Sequence, residues 1–217
     1  MKFPLLTQFD PETGIGDGIT PKSRHLNGLA GKFVDDLAYR EALQNGNPLI
    51  YTVSTVESAN GDGQLHYGIG KLMPGKIGCE YYFTFGHIHA HRPAAEIYIG
   101  LSGQGLMLLQ HEITGETQVQ PLESNTVIYV PGCTAHRTIN TGDKPLIYLG
   151  IYPAQAGHDY GFITQKNFNK VVLEVDRRPA VMDRREALAF ISTRELKKRG
   201  NEKSKTSDQL IQEGGSY

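Results

Sequence analysis

Between Leu49 and Tyr152 the chain alternates short apolar or aromatic runs with clusters of turn-forming residues. LIYTVSTV, LHYGIGKL, EYYFTF, AEIYIGL, GLMLLQ, TVIYVP, AHRTIN and PLIYLGIY are rich in β-branched and aromatic side chains, and Gly, Pro, Asn and Asp separate them. Eight such runs predict a β-sandwich or barrel. A further run, KVVLEV at 170–175, predicts one more strand, at an edge or exchanged with a neighbouring subunit. Residues 1–48 lack this pattern. They read as an irregular arm that wraps the core, with a short helix at about 34–44 that Asn45-Gly46 stops. After Asp176 the pattern becomes helical. In DRREALAFISTRELKKR, Leu188 and Ile191 fall on one face with basic residues near the end, while Ser192 and Glu195 fit a capping box that would divide the segment into two helices. The last stretch, NEKSKTSDQLIQEGGSY, is polar and expected to be loose. The resulting division is a domain over 1–176 and a basic helical extension over 177–217.

Composition narrows the classes of function. The 217 residues allow one compact domain with an appendage. Hydrophobic residues at 39% and charged residues at 21% describe a chain that folds. Glycine is abundant, at 25 residues, and with 11 prolines it implies many turns. The net charge of -1 argues against nonspecific nucleic-acid binding. That figure hides an asymmetry: residues 177–217 hold ten Lys or Arg against six Asp or Glu, which leaves -5 on residues 1–176. Two cysteines, Cys79 and Cys133, are too few for a disulfide framework, and no apolar stretch is long enough for a membrane span or a secretory core. A cytoplasmic location with no membrane partner is the expectation.

The histidines are the sharpest signal. Three of eight fall within FGHIHAHRPAAEIYIG. If 82–89 is a strand, His87 and His89 project from one face, and a returning strand from Ala95 places Glu96 and Tyr98 together on a face beside them. His136 follows a Pro-Gly turn in VPGCTAHRTIN. Three imidazoles and a carboxylate form a mixed donor set for Fe(II), Mn(II), Ni(II) or Zn(II), with positions left open for water or substrate. His25, His66, His91 and His111 are read as ordinary surface or hydrogen-bonded side chains. Cys133, with no base placed beside it, is not read as a nucleophile.

H-x-H, a glutamate, Gly103 and P-G-x-x-x-H-x-x-x-N together resemble the two motifs of the cupin superfamily. Six residues separate His89 from Glu96, more than the usual cupin spacing. That interval, with TFGHIHAH, AEIYIGLSGQG, VPGCTAHRTINTGDKPL and above all IYPAQAGHDYG, is similar to the cupin-type glucose-6-phosphate isomerases of archaea and some bacteria. The likeness runs from FDPETG to about residue 175. It implies an all-β cupin barrel, a double-stranded β-helix or jelly roll, with an N-terminal arm and a C-terminal helical tail. It also implies one divalent ion per subunit, Fe2+ first among the candidates, held by His87, His89, Glu96 and His136.

The activity implied is interconversion of glucose 6-phosphate and fructose 6-phosphate in glycolysis and gluconeogenesis, by a cytoplasmic homodimer. Glu96 is the first candidate for proton carrier and Tyr98 the second, with His136 in the catalytic set. Ligation to a cation would lower the basicity of Glu96. Tyr51, Thr84, the Gly86 backbone N–H, Tyr152, His158 and Tyr160 are implied to hold the sugar phosphate. Phe85 and Gly70 stand where related sequences carry Lys and Thr, a departure at the phosphate contacts. The alternatives are a mononuclear iron cupin dioxygenase, which would use the same ligands, and a sugar-binding cupin without catalysis.

Overall fold

The computed structural model describes residues 6–194. Its thirteen strands are β1 (Lys22–His25), β2 (Leu49–Val56), β3 (Leu65–Leu72), β4 (Lys76–Ile77), β5 (Glu80–Tyr81), β6 (Glu96–Ser102), β7 (Gln104–His111), β8 (Thr117–Glu123), β9 (Val127–Val130), β10 (Thr134–Asn140), β11 (Leu146–Pro153), β12 (Lys170–Val175) and β13 (Arg178–Asp183). Two short helices, α1 (Asp36–Gln44) and α2 (Gly161–Gln165), interrupt them. Residues 184–194 are also helical. No helix among the described residues is long and apolar enough to cross a membrane.

The strands pair antiparallel in three sheets. The largest has the order β1-β2-β3-β11-β6-β9, the second β10-β7-β8, and the third β13-β12-β5-β4. This is the all-β arrangement expected of a cupin, with the arm and the helical segment at its ends. Backbone bridges Phe83↔Ile139 and His87↔His136 stitch residues 83–87 to β10, so the histidine segment passes beside the second sheet. The core lies between the layers, where Ile50, Leu72, Phe83, Met107 and Ile139 are buried together.

The arm belongs to this core. Leu26, Leu29 and Phe33 are buried within it, and residues 22–25 add an edge strand to the large sheet, which the hydrophobic pattern does not predict. Helix α1 starts where the Asp35 carboxylate accepts the Ala38 N–H (2.9 Å) and stops at Asn45. Both limits agree with the sequence expectation.

The expected strand over 82–89 does not form as a unit. Gly86 has φ 79°, a left-handed conformation that ends strand geometry, and only isolated bridges remain on either side. KVVLEV pairs within its own chain, with β13 on one side and β5 on the other. The segment after Asp176 is therefore continuous with the fold up to residue 194. Its helix buries Ala187 and Ile191 against Val34, Val171 and Leu173, whereas Leu188 is 49% exposed. The expected partner of Ile191 is thus replaced by the residue one full turn away, at i−4. The expected break at Ser192 is absent as well: its hydroxyl donates to the Leu188 carbonyl (2.9 Å) inside a continuous helix. Glu195 and the terminal polar stretch lie outside the described residues.

One close approach fixes how β6 meets the β8–β9 turn. A Cβ on Gly100 would fall 1.9 Å from the Glu123 carbonyl oxygen, which is backbone and has nowhere to go. Gly100→Ala is expected to lower stability by about 2–3 kcal/mol or more, the cost of overpacking against an immovable group. Chemical denaturation of the two proteins measures it.

Candidate metal centre and active site

The inner face of the six-stranded sheet carries the site by simple alternation. Tyr51, Val53 and Thr55 on β2, Gly68 and Gly70 on β3, Tyr148, Gly150 and Tyr152 on β11, and Glu96 and Tyr98 on β6 all line one cavity of ≈ 280 Å³. Registry aligns them across the strands, Val53 opposite Gly70, Gly70 opposite Tyr148, and Gly150 opposite Tyr98. Glycines pave the floor. A Cβ on Gly70 would fall 2.2 Å from the Tyr148 ring, and one on Gly150 2.8 Å from Glu96 Oε1, so both absences make room for a neighbour. A wider depression, ≈ 600 Å³, lies on the outer side near Pro121, Val127 and Tyr129 and gathers no comparable donor set.

At one end of the inner cavity the expected ligands meet. Ligand atoms of His87, His89, Glu96 and His136 lie within 4.8 Å of one another. Glu96 Oε2 is 3.0 Å from His136 Nε2, 3.2 Å from His89 Nε2 and 3.9 Å from His87 Nε2. These contacts are close, yet all four atoms are buried without a hydrogen-bond partner in the chain. The other ring nitrogens explain the orientation. His89 Nδ1 bonds the Ala94 carbonyl (2.9 Å) and His136 Nδ1 the Thr134 carbonyl (3.1 Å), which assigns the proton to Nδ1 and turns a lone pair on Nε2 inward. Three imidazole nitrogens and one carboxylate oxygen aimed at a single point fit a divalent first-row ion.

Electrostatics divide the histidines: at His89 burial is outweighed by contact with the Glu96 carboxylate and the Ala94 carbonyl, which raises the imidazole, a shift that a bound cation would oppose. Burial, reinforced by the neighbouring His136, holds His87 well below the usual imidazole range, so it is a neutral donor. Burial opposes ionisation of Glu96, and His136 and His89 lower its carboxyl only while they carry a proton on Nε2; with both protons on Nδ1, the positive charge opposite Glu96 has to come from an ion. Tyr98 is pushed well above the usual phenol range by burial and by the Glu96 carboxylate, and it stays protonated. Burial also raises Tyr152 to about 12 and lowers His158.

The remaining predicted residues converge on the same cavity. Thr84, Gly86, His158 and Tyr160 line it alongside Tyr51 and Tyr152. His158 packs between His87 and Tyr160, with ring centres 4.4 and 6.1 Å away. Of the four clustered residues, His89 alone is not part of the cavity lining. Arg92 holds the His158 loop in place: it donates to Asp159 Oδ2 (2.7 Å), Glu112 Oε2 (2.8 Å) and the His89 carbonyl (2.5 Å). Lys22, Arg24, Arg137, Thr138 and Tyr148 also line the cavity and were not expected from sequence. Thr138 lies within the second histidine motif, two residues after His136, which is the one signal that pointed toward it.

A small antiparallel β fold around a buried cluster of three histidines and one carboxylate, able to hold one metal ion, is the cupin type of architecture. Residues 23–186 match the family model described as "Glucose-6-phosphate isomerase (GPI)", and the chain belongs to that family. It is 46% identical over 182 residues to the glucose-6-phosphate isomerase of Pyrococcus horikoshii, across 84% of this chain and 96% of that one. With the Sinorhizobium medicae protein of the same name it shares 37% identity over 164 residues, 75% of this chain and 76% of the other. Among solved structures, one described as "Structural and spectroscopic insights into the mechanism of oxalate oxidase" aligns at TM-score 0.43 and 15% identity, over 52% of this chain and 56% of that one.

Chelation of the metal-loaded protein is expected to lower its melting temperature, and re-addition of the ion to restore it. Loss of a group that merely orients a ligand costs about 10–100-fold in metal affinity, so His136→Ala, which removes a ligand, is expected to cost at least about 100-fold. Metal content after dialysis measures that loss, and the variant's melting temperature should no longer respond to chelator.

Proposed function

We infer that the protein is a metal-dependent aldose-ketose isomerase that interconverts glucose 6-phosphate and fructose 6-phosphate, with one divalent ion per subunit held by His87, His89, Glu96 and His136. One observation carries the reading: the ligand set closes one end of a cavity whose other walls offer hydroxyl, imidazole and backbone donors suited to a polyhydroxylated phosphate. The ion, Fe2+ first and Mn2+, Ni2+ or Zn2+ otherwise, supplies Lewis acidity toward the carbonyl and adjacent hydroxyl of the sugar.

The chain's own groups do the rest. Isomerisation moves hydrogen between two neighbouring carbons. Glu96 is ionised, with Oε2 toward the histidines and Oε1 above Gly150, a position from which it carries a proton between C1 and C2. Tyr98 keeps its proton and donates to a sugar oxygen as negative charge develops there. His136 stands 3.0 Å from Glu96 and joins it in the set that would hold the ion next to the reacting carbons. Tyr152, His158 and Tyr160 hold sugar hydroxyls. Burial favours the neutral form of His158, which therefore offers either a donor or an acceptor.

Phosphate binding falls to Tyr51, Thr84 and Gly86. Thr84 Oγ1 accepts the Thr138 N–H (3.1 Å), which leaves its own proton to donate. Gly86 makes no backbone N–H contact among the described residues. Ile97, Val127 and Tyr129 are exposed on β6 and on the edge strand β9, which supports association into a homodimer. Two unpaired cysteines and a relation to isomerases of central sugar metabolism support a cytoplasmic role in glycolysis and gluconeogenesis.

The test is direct. Protein stripped by chelator and reloaded with each ion receives fructose 6-phosphate, and glucose 6-phosphate is followed with a coupled dehydrogenase. Metal-dependent turnover without oxygen consumption is expected, and its absence with every ion would refute the inference. Tyr152→Phe should keep its metal and raise KM about 3- to 10-fold, the usual worth of one neutral hydrogen bond.

A further inference from the structure

The cavity crosses the large sheet from β6, which carries Glu96 and Tyr98, to β1, which carries Lys22 and Arg24. Those two strands are four neighbours apart, about 19 Å at the usual strand spacing. Side chains reaching in from these two strands leave the length of a sugar phosphate between them, reacting carbons toward β6 and phosphate toward β1. A phosphate dianion in that position calls for a cation with free donors.

Most cations near that end are already committed. Arg137 lies between Phe83 and Phe168, its guanidinium carbon 4.2 and 4.6 Å from the ring centres, and Nη2 donates to the Phe85 carbonyl (2.7 Å) and Asn167 Oδ1 (3.2 Å), while Nε is buried without a partner. Lys32 is 7% exposed and donates to the Ile163 carbonyl (3.0 Å). Lys22 is exposed on the sheet edge. Arg24 differs from all three. It is half-buried, lines the cavity, and among the described residues takes part in no ion pair and no side-chain hydrogen bond.

Its side chain is nevertheless supported along its length. The stem crosses Gly28, where a Cβ would fall 2.5 Å from Arg24 Cδ and 3.2 Å from Nη1. Its guanidinium carbon stands 5.7 Å from the centre of the Phe85 ring, and that ring meets Tyr160 edge-on at 5.8 Å. Lys32 Nζ is 5.2 Å from the same ring. Phe85 therefore sits among three cations, and the β1 end of the cavity is positive although the whole chain carries -1. Glu57, the acidic residue that lines the cavity besides Glu96, acts instead on Tyr152 and His158, toward the metal end.

The geometry points to Arg24 as the cationic anchor of the substrate's phosphate, a charged contact added to the neutral donors of Tyr51, Thr84 and Gly86. This rests on the sugar-phosphate reading above. A guanidinium presents parallel N–H donors that match two phosphate oxygens, which a lysine ammonium does not. Gly28 is then a positioning residue, kept bare so that Arg24 can lie across it.

Inorganic phosphate is the probe. Calorimetry on full-length, metal-loaded protein measures its Kd, and kinetics give KM and kcat for fructose 6-phosphate. In Arg24→Gln both the phosphate Kd and KM are expected to rise about 10- to 100-fold, as for loss of a charged hydrogen bond, while metal content is retained and kcat stays within about threefold. Arg24→Lys should recover part of the loss. Gly28→Ala, which displaces the guanidinium without changing the charge, should raise KM in the same sense and serves as the second test if Arg24→Gln folds poorly. An unchanged phosphate Kd in both variants overturns the assignment, and overturns it alone if the wild type isomerises fructose 6-phosphate. Weakened phosphate binding in a protein that isomerises nothing would uphold the anchor and refute the isomerase reading.

Discussion

Four polar atoms buried at one point with nothing in the chain to bond them are the constraint on which the rest of this structure depends. Leaving a buried polar group unsatisfied costs about 1–3 kcal/mol. Four of them, on His87, His89, Glu96 and His136, amount to a burden comparable with the whole stability of an ordinary domain, about 5–15 kcal/mol. A fold that tolerates such a cluster is organised around what the cluster holds, and an ion that satisfies all four reverses the sign of the contribution. The surroundings bear this out: carbonyls fix the outer nitrogens of two histidines, Gly150 makes space for the second carboxylate oxygen, and Arg92 ties the His89 carbonyl to the loop that carries His158.

The same geometry separates two kinds of work in one cavity. At the β6 end the groups are deeply buried, and burial together with the Glu96 carboxylate keeps the Tyr98 hydroxyl protonated, as the proposed isomerisation needs. Toward β1 the walls are built from hydroxyls, a backbone N–H and cations arranged around Phe85. The glycines between them, Gly68, Gly70 and Gly150, keep the floor low enough for an extended ligand. Gly70 serves this indirectly, since the Tyr148 ring occupies the space a side chain would need, and the Tyr148 hydroxyl joins that of Thr138 (3.2 Å) at the wall.

Much of this was legible in the sequence, and the misses have physical causes. LIYTVSTV, LHYGIGKL and KVVLEV are strands over the residues expected, because each presents apolar side chains to a core. Alternation in the sequence points to the histidine pair and Glu96, but Gly86 breaks the strand that alternation would need at His87 and His89, and the imidazoles converge because the segment is bridged to β10 instead. Strand β8, TQVQPLE, went unrecognised because only Leu122 is buried in it and Pro121 argues against a strand. In the C-terminal helix a large apolar residue, Leu188, was favoured over Ala187, yet contact geometry and not hydrophobicity decides which face turns inward.

Strand β1 is the most instructive case. KSRH has no apolar residue, and a hydrophobic pattern has no means of finding it. Its polarity follows from its position: the neighbouring β2 is its one partner in the sheet, and the side chains it presents inward face the mouth of a polar cavity and not the core. A strand that buried apolar surface there would close the end of the site. Lys22 and Arg24, which make this segment unreadable as a strand, line the cavity, and Arg24 joins Lys32 and Arg137 around Phe85, so the missing hydrophobic signal is itself a consequence of what the strand is placed to do.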